Sequence, residues 1–488
     1  MALIGLDVGG SGAKAVAFSD EGKILCTSYQ EYDMINPAPG QYEYDPNAIW
    51  AAARGVLAEA AQKCGDIVRG IGVSSFGESY AILDENDQVL CNTMMYLDTR
   101  GQEFLDELNA KYDIYDFRAK MGSRPRINHS TVKLHVVSAE RPDVIKKAKK
   151  ILFMMDFVLY RLGGEHATDY SLAETTGGLD LTTYQWNREL FDWAGIDVSL
   201  LPKLVAPGTC VGTLSEKAAA DLGIAPGAKL VCGGLDHIPA SIGCGVTKKG
   251  QLANSIGTVD CFNLITDTID PHIYDGDFLF LPHYTKDHFG GLIANMAGGV
   301  LLKWFRNHIG KYEKEMWKNE GKNFYVEYEK RMAKEPTDLI VLPRFAGYSK
   351  KFSDRAGILN MTLSTTNEEL YRAFMEGASY EMFHMMQAYG QGIDSVTAVG
   401  GGANCDTYMQ IRADVFNLPV YTVTCDQTGA LGNAMAAGIA AGIFRDVDEA
   451  VAACVETRKV FYPDQKRNEY YMEMYDKYLR IYKALEEF

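Results

Sequence analysis

No two of the ten cysteines are spaced Cys-x-x-Cys, which removes a zinc ribbon and a thioredoxin-type redox centre. Most of these cysteines sit in apolar strand or helix patterns, where a thiol acts as a small hydrophobe, and their use reads as that of a reducing compartment. No stretch offers the ~20 apolar residues that span a bilayer. The opening Met-Ala-Leu-Ile-Gly-Leu-Asp has neither the basic region nor the long apolar run of a secretory signal. A cytoplasmic protein with no membrane contact is expected. Positive charge is also short: 48 Lys and Arg stand against 64 Asp and Glu, a formal net charge of −16 that disfavours nucleic-acid backbones and anionic lipid. There is no Gly-x-Ser-x-Gly nucleophile elbow and no His/Cys/Asp cluster with zinc spacing.

Length and glycine are what the sequence does have. A chain of 488 residues exceeds one hydrophobic core, so two domains are expected. Its 47 glycines gather where apolar runs stop. Leu3 to Val8 is apolar, Gly9-Gly10-Ser11-Gly12 turns, Ala13 to Phe18 is apolar, Asp20-Glu21-Gly22 turns, and Lys23 to Tyr29 returns. This is a β-meander opening on a glycine turn. Asp45-Pro46 starts a helix, with Ile49, Ala52, Ala53, Val56, Leu57, Ala60 and Ala61 as its apolar face. Residues 79–97 read as a hairpin turning at Asp84-Glu85-Asn86-Asp87, and 102–165 as mainly helical, with Lys146 to Lys150 on a solvated helix face.

The strand-and-glycine device recurs from about 229. Leu230 to Cys232 ends in Gly233-Gly234-Leu235-Asp236, and Gln251 to Ser255 ends in Gly257-Thr258 before Cys261 to Ile265. A charged surface helical hairpin is predicted over 311–335. The capping box Thr366-x-x-Glu369 opens a helix to about 388. Val396 to Val399 runs into Gly400-Gly401-Gly402-Ala403-Asn404, helices follow near 405–416 and 428–442, and a charged, Tyr-rich helix closes the chain. The pattern is α/β with two similar halves, whose ligands bind where strands end and helix N-termini begin.

Four places carry chemistry. In Asp7-Val8-Gly9-Gly10-Ser11-Gly12-Ala13-Lys14 an acid ends a buried strand and a glycine turn exposes backbone N–H groups. Such a turn can cradle phosphate oxygens, with Ser11 and Lys14 in reach and Asp7 serving Mg²⁺. Read alone, it is also a plain hairpin turn. Asp236, after Gly233-Gly234, is placed to orient and deprotonate an attacking hydroxyl. It equally fits a cap on the helix starting near Ile238. His237 can donate to a substrate hydroxyl or be structural. Gly400-Gly401-Gly402 offers a surface free of side chains for a purine, or a tight strand-to-helix turn.

Taken in order, these motifs resemble the FGGY family of carbohydrate kinases, which includes xylulokinase, gluconokinase and glycerol kinase. The resemblance runs from end to end. Gly5-Leu6-Asp7-Val8-Gly9-Gly10-Ser11 is similar to the family's first phosphate loop. Tyr96-Leu97-Asp98-Thr99-Arg100 is similar to its W-x-D-x-R sugar motif, and Thr168-Asp169-Tyr170-Ser171 to its T-D-Y-S segment. Gly234-Leu235-Asp236-His237 resembles the catalytic strand end, Ser255-Ile256-Gly257-Thr258 the second phosphate loop, and Gly400-Gly401-Gly402-Ala403, with Gln410, Ala413, Asp414 and Pro419-Val420, the C-terminal signature.

The resemblance implies an α/β chain of two actin-like ATPase (ribonuclease H-like) domains with a deep cleft between them: a sugar-binding domain over 1–242 and an ATP-binding domain over 243–488. It implies an ATP-dependent sugar kinase with Mg²⁺, a ketose (a xylulokinase-like pentulose) as acceptor, and Asp236 as general base. Asp7 and Asp236 would serve the metal. Gly9, Gly10, Ser11, Lys14, Gly257, Thr258, Gly401, Gly402, Ala403 and Asn404 would hold ATP. Glu78, Asp98, Arg100, Asp236 and His237 would hold the sugar, with Phe76 and Tyr96 as stacking surfaces or plain cleft wall. A homodimer is a family-level expectation.

The sequence departs from the family on the sugar side. Ser74-Ser75-Phe76-Gly77-Glu78-Ser79 keeps the Glu of glycerol kinases but lacks both their Arg and the Met-His pair of xylulokinases. Asn128 and Val136 depart from the first signature, His237 replaces Asn or Gln, and Gly347-Tyr348-Ser349 stands where Gly-Glu-Arg is usual. A polyol or glycerol-type kinase therefore stays open, as does a non-catalytic actin-like nucleotide-binding protein. The carboxylates Glu78 and Asp98 favour a neutral polyhydroxylated ligand over a sugar acid.

Overall fold

The computed structural model describes every residue except 274–277, 286, 297, 346–354, 388, 391 and 487–488. Two sheets carry the chain. In the first, the apolar strand Ala2–Gly9 lies near the centre, antiparallel to Gly12–Ser19 and parallel to Val68–Ser75. Ile24–Glu31 closes one edge, and Lys229–Leu235 followed by Cys210–Thr213 extends the other. Leu3, Ile4, Leu6 and Val8 are buried, as a strand covered on both faces requires. The crossover helix Pro46–Lys63 starts as the sequence predicts: Asp45 accepts from the Asn47 N–H, Pro46 occupies the first turn, and Ile49, Ala52, Ala53, Val56, Leu57 and Ala60 are buried.

The second sheet repeats the plan. Gln251–Ile256 and Asp260–Thr266 form the hairpin around Gly257-Thr258. The 21-residue helix Asn367–Gln387 crosses over to Ser395–Val399, which runs parallel to Gln251–Ile256. Thr366 and Glu369 make the reciprocal capping box, at 2.8 and 3.2 Å. Strands Val420–Val423 and Thr457–Phe461 complete one side, and Phe289–Asn295 with Leu279–Pro282 the other.

Three expectations change. Tyr80–Leu83 folds back on itself only briefly, with Leu83 bridging Val89 antiparallel and the Leu90 N–H donating to the Ile82 carbonyl at 2.9 Å. The strand pairs antiparallel with Lys150–Phe153, while the turn at Asp84 survives as a loop closed by the Asp84 carboxylate. Gly233 and Gly234 lie inside the strand Lys229–Leu235, at a register shift, and do not end it. The terminal helix Gln465–Glu486 buries Tyr471, Tyr475, Tyr478 and Tyr482 along one helical stripe in the core of the second half.

The helix Thr428–Ala440 belongs to the second half by sequence but packs on the first sheet. Its backbone lies so close that a Cβ on Gly5 would come 1.8 Å from the Ala430 carbonyl oxygen, and one on Gly72 would come 2.1 Å from that of Asn433. Asn433 Nδ2 donates to the Leu6 carbonyl at 3.0 Å and to Ser74 Oγ at 2.8 Å. The strand ends that carry Asp7 and Ser74 are thereby fixed from below. Among the described residues no helix is long and apolar enough to cross a membrane, and all ten cysteines are free thiols.

Candidate active site

The first glycine turn is tied from behind: the Tyr32 and Tyr44 hydroxyls donate to the Gly9 and Gly10 carbonyls. Ser11 is exposed at its tip. Asp7 lies across the hairpin from Lys14, whose ammonium donates to Gln427 Oε1 at 3.1 Å. Ser74 Oγ donates to Asp7 Oδ1 at 3.0 Å. Desolvation, together with the negative charge of Asp236, pushes the Asp7 carboxyl up to about 6. The charge of one carboxylate thus bears on the other, and both offer the oxygen ligands that a hard divalent cation takes.

Asp236 follows the strand Lys229–Leu235, and its N–H donates to the Ser75 carbonyl at 3.2 Å. Its backbone is already helical (φ −45°, ψ −35°), and its side chain makes no cap hydrogen bond to the helix His237–Gly243. The capping alternative is therefore excluded. The carboxylate is 38% exposed and free to meet a ligand, with His237 Nε2 at 3.8 Å.

Glu78 is a non-glycine residue at φ +67°, a conformation that costs about 1–3 kcal/mol and persists only where the surroundings hold it. Here its N–H donates to Thr175 Oγ1 at 3.2 Å, its carbonyl accepts from Ser130 Oγ at 2.7 Å, and Oε1 accepts from Asn128 Nδ2 at 3.1 Å. Arg126 Nη2 lies 3.9 Å from Oε1. Desolvation dominates, Arg126 opposes it, and the Glu78 carboxyl sits at about 7. Burial raises the Tyr96 phenol, and the nearby charges of Glu78 and Asp236 raise it further. Tyr96 stands edge-on to buried Phe76, at 6.5 Å, and its hydroxyl lies over Gly10, where the sugar-side aromatics meet the first phosphate turn.

Asp98 and Arg100 are placed differently from the expected sugar contacts. The Asp98 side chain has no exposed surface. Its oxygens accept from Arg100 Nη2 at 2.6 Å, from Arg100 Nε at 3.0 Å and from the Tyr42 N–H at 2.8 Å. Burial works against ionisation of Asp98, and Arg100 outweighs it, holding the carboxyl below its ordinary range. Arg100 also reaches Glu43 at 2.8 Å, and buried Lys133 donates to the Asp98 and Arg100 carbonyls at 2.7 Å each. The pair is a clamp under the pocket wall.

A cavity of about 510 Å³, within the range of small-molecule sites, opens between the second glycine turn and the glycine run at 400–404. Gly257 and Thr258 line one side and Gly401, Gly402 and Asn404 the other, with Val300, Leu302, Val326, Tyr371 and Met375 as apolar wall. Gly400 takes φ +87° and passes so near Ile256 that a Cβ there would meet its carbonyl oxygen at 2.9 Å, so only glycine joins these two strand ends. The helix Gly299–His308 begins against the turn, with the Gly299 N–H donating to the Gly257 carbonyl at 2.7 Å. That helix start and Lys303 favour an anion. Ala403 is buried beneath the cavity, and its carbonyl accepts from Arg458.

Arg126, Glu174, Lys303 and the helix Phe324–Arg331 are missed by the sequence. The predicted surface hairpin does form, yet Tyr325, Val326 and Glu329 turn one face into the cavity. Gly347, Tyr348 and Ser349 lie outside the described residues.

Two repeated sheets, glycine turns facing a cleft and a free carboxylate between them define a two-domain phosphotransferase of the actin-like class. Residues 2–243 match the N-terminal domain and residues 252–441 the C-terminal domain of the FGGY family of carbohydrate kinases. A xylulose kinase from Bacillus subtilis is 27% identical over 494 residues, covering 98% of this chain and 96% of that one. A gluconokinase from Bacillus licheniformis is 26% identical, covering 99% and 96%. The crystal structure of a xylulose kinase from Rhodospirillum rubrum superimposes with a TM-score of 0.90 at 24% identity, covering 100% of this chain and 99% of that one. The chain belongs to the FGGY family of carbohydrate kinases, enzymes that transfer a phosphoryl group to a hydroxyl acceptor.

Proposed function

We propose that this kinase transfers the γ-phosphoryl group of ATP to a hydroxyl of a neutral ketose, a pentulose first, with Asp236 as general base. The observation that carries the reading is the free Asp236 carboxylate, uncommitted to its helix and electrostatically coupled to Asp7 on one side and Glu78 on the other. The substrate hydroxyl gives its proton to Asp236 while its oxygen attacks the γ-phosphorus, and ADP leaves. Glu78 accepts a sugar hydroxyl, and Phe76 and Tyr96 wall the sugar. His237 stands beside the base to orient the acceptor. Gly9, Gly10, Ser11 and Lys14 face the transferred phosphoryl group from one domain, and Gly257 and Thr258 hold the outer phosphates from the other. Gly401, Gly402 and Asn404 border the adenosine. Asp7, with Asp236, would hold Mg²⁺, which when bound offsets the charge of the phosphate oxygens.

The kinship with both a xylulose kinase and a gluconokinase leaves the acceptor to the pocket, and three carboxylates around it (Asp7, Glu78 and Asp236) support a neutral one. A glycerol-type acceptor remains the second reading, because Glu78 is the residue this chain shares with glycerol kinases. An ADP-release assay with Mg·ATP against D-xylulose, D-ribulose, D-fructose, xylitol, erythritol, glycerol and gluconate tests it, with Asp236→Ala as control. Strongest turnover of a ketopentose, silent in the variant, is the expected result. Strongest turnover of gluconate would overturn the neutral-acceptor reading.

A further inference from the structure

Behind Glu78 lies a buried polar group that the reaction does not use directly. Arg126 Nε donates to His129 Nε2 at 3.1 Å. Nε2 is thus an acceptor, and the buried, neutral imidazole carries its proton on Nδ1. Arg126 Nη2 is buried, makes no hydrogen bond, and lies 3.9 Å from Glu78 Oε1. Fully buried Glu174, on the helical turn Tyr170–Glu174, accepts from Ser123 Oγ at 2.6 Å through Oε1, and its Oε2 has no partner. The charges of Arg126 and Glu78 both act on Glu174, and those of Arg126, Asp236 and Lys133 act on Glu78. The guanidinium thus stands 3.9 Å from the part-buried Glu78 carboxylate and is linked to the fully buried Glu174 through His129 Nε2 and Ser123 Oγ, which lie 3.3 Å apart.

We infer that Arg126, pinned by His129 beside Glu78 and backed by Glu174, is a positioning residue that sets the charge with which Glu78 meets a sugar hydroxyl. This rests on the assignment of Glu78 to the sugar pocket. The ionised carboxylate accepts through both oxygens, whereas the protonated group turns one of them into an O–H donor, so the ionised form is the stronger acceptor of sugar hydroxyls. Arg126 favours that form. Glu174 opposes it as a like charge. Asp236 from the strand end opposes it as well, Lys133 from the helix Ser130–Glu140 supports it, and Tyr96 is neutral.

The two neighbours make opposite predictions. The dissociation constant of the panel sugar with the highest turnover is measured by calorimetry from pH 5.5 to 8.5, without ATP, for the unmodified enzyme, Arg126→Met, Arg126→Lys and Glu174→Gln. Affinity should rise with pH through about 7 in the unmodified enzyme. Arg126→Met should move that rise upward by roughly one pH unit, costing about tenfold in affinity below it. Arg126→Lys should restore most of the profile. Glu174→Gln should move the rise downward and tighten binding near pH 6. Binding of ATP should stay unchanged in all variants. A purely structural role would weaken binding in both Arg126→Met and Glu174→Gln without separating their pH profiles. Shifts in the same direction, or profiles that do not move, overturn the inference. Silence of the unmodified enzyme on every sugar of the panel overturns the sugar-kinase reading and this inference with it.

Discussion

Glu78 combines a left-handed backbone, burial and a raised pKa, three costs that the fold sustains at one residue. A raised carboxyl pKa makes the folded state hold a proton that the unfolded chain releases near pH 4.3. Its stability contribution is fully present below that pH and is lost as pH rises through about 7. Glu78→Gln keeps the shape and removes the charge. It should therefore raise the thermal midpoint at pH 8, leave it unchanged at pH 4.5, and raise the sugar KM about tenfold while the ATP KM holds. A midpoint that shifts equally at both pH values would detach the effect from ionisation. At this scale the sequence is legible where a residue lies near a strand end and its glycines, as Asp7, Asp236 and Thr258 do. It is illegible where the residue sits in irregular chain. Arg126 and Glu174 carry no spacing signature, and they come together only because Gly122 and the turn at 170–174 pack against each other. Asp98 and Arg100 are two residues apart in the sequence, and nothing in that spacing tells a sugar contact from a clamp.

Among the elements, the helix Thr428–Ala440 holds the strands behind the first glycine turn. Asn433 joins the Leu6 carbonyl to Ser74 Oγ, and Ser74 in turn holds Asp7. Asn433→Ala should cost about 1–3 kcal/mol in denaturant unfolding, because it leaves a buried carbonyl unpaired, and should lower kcat more than ATP affinity. The second glycine turn has its own brace. Arg412, on the helix Asp406–Phe416, pairs with buried Asp260 and reaches Asn254 Oδ1 at 3.3 Å. Arg412→Met should destabilise by about 3–5 kcal/mol, since it abandons a buried carboxylate. A loss below 1 kcal/mol would place the brace outside the folded core's energetics. The helix caps at Asp45 and Thr366 are readable because capping chemistry is local. The pairing of Tyr80–Leu83 with Lys150–Phe153 is not, because its partner lies about 70 residues away and the Asp84 turn suggests a nearer one.

For the whole molecule, the repeated strand-glycine-strand device predicts two similar halves, and the described residues form two large sheets, of six and seven strands. What the linear reading leaves out is that the halves interlock: a helix of the second half forms part of the first core. The reason is steric. Gly5 and Gly72 make a seat for a helix backbone, and nothing in their own segments says which helix will take it. A cleft whose two walls share such a seat couples ligand binding to overall stability. Saturation with ATP at about a hundred times its dissociation constant should raise global stability by about 2.7 kcal/mol, read as one cooperative shift of the melting transition. Two separate transitions, with only one moved by ATP, would show the halves to be independent.

The central claim is that the free carboxylate between the two glycine turns takes the proton. Its most direct test is the steady-state rate of Asp236→Asn with the best acceptor, measured beside calorimetric ATP binding. The account predicts a fall in kcat of about 10²–10⁴, with the ATP dissociation constant changed by less than about threefold. Turnover within tenfold of the unmodified enzyme would contradict it and remove Asp236 as the base.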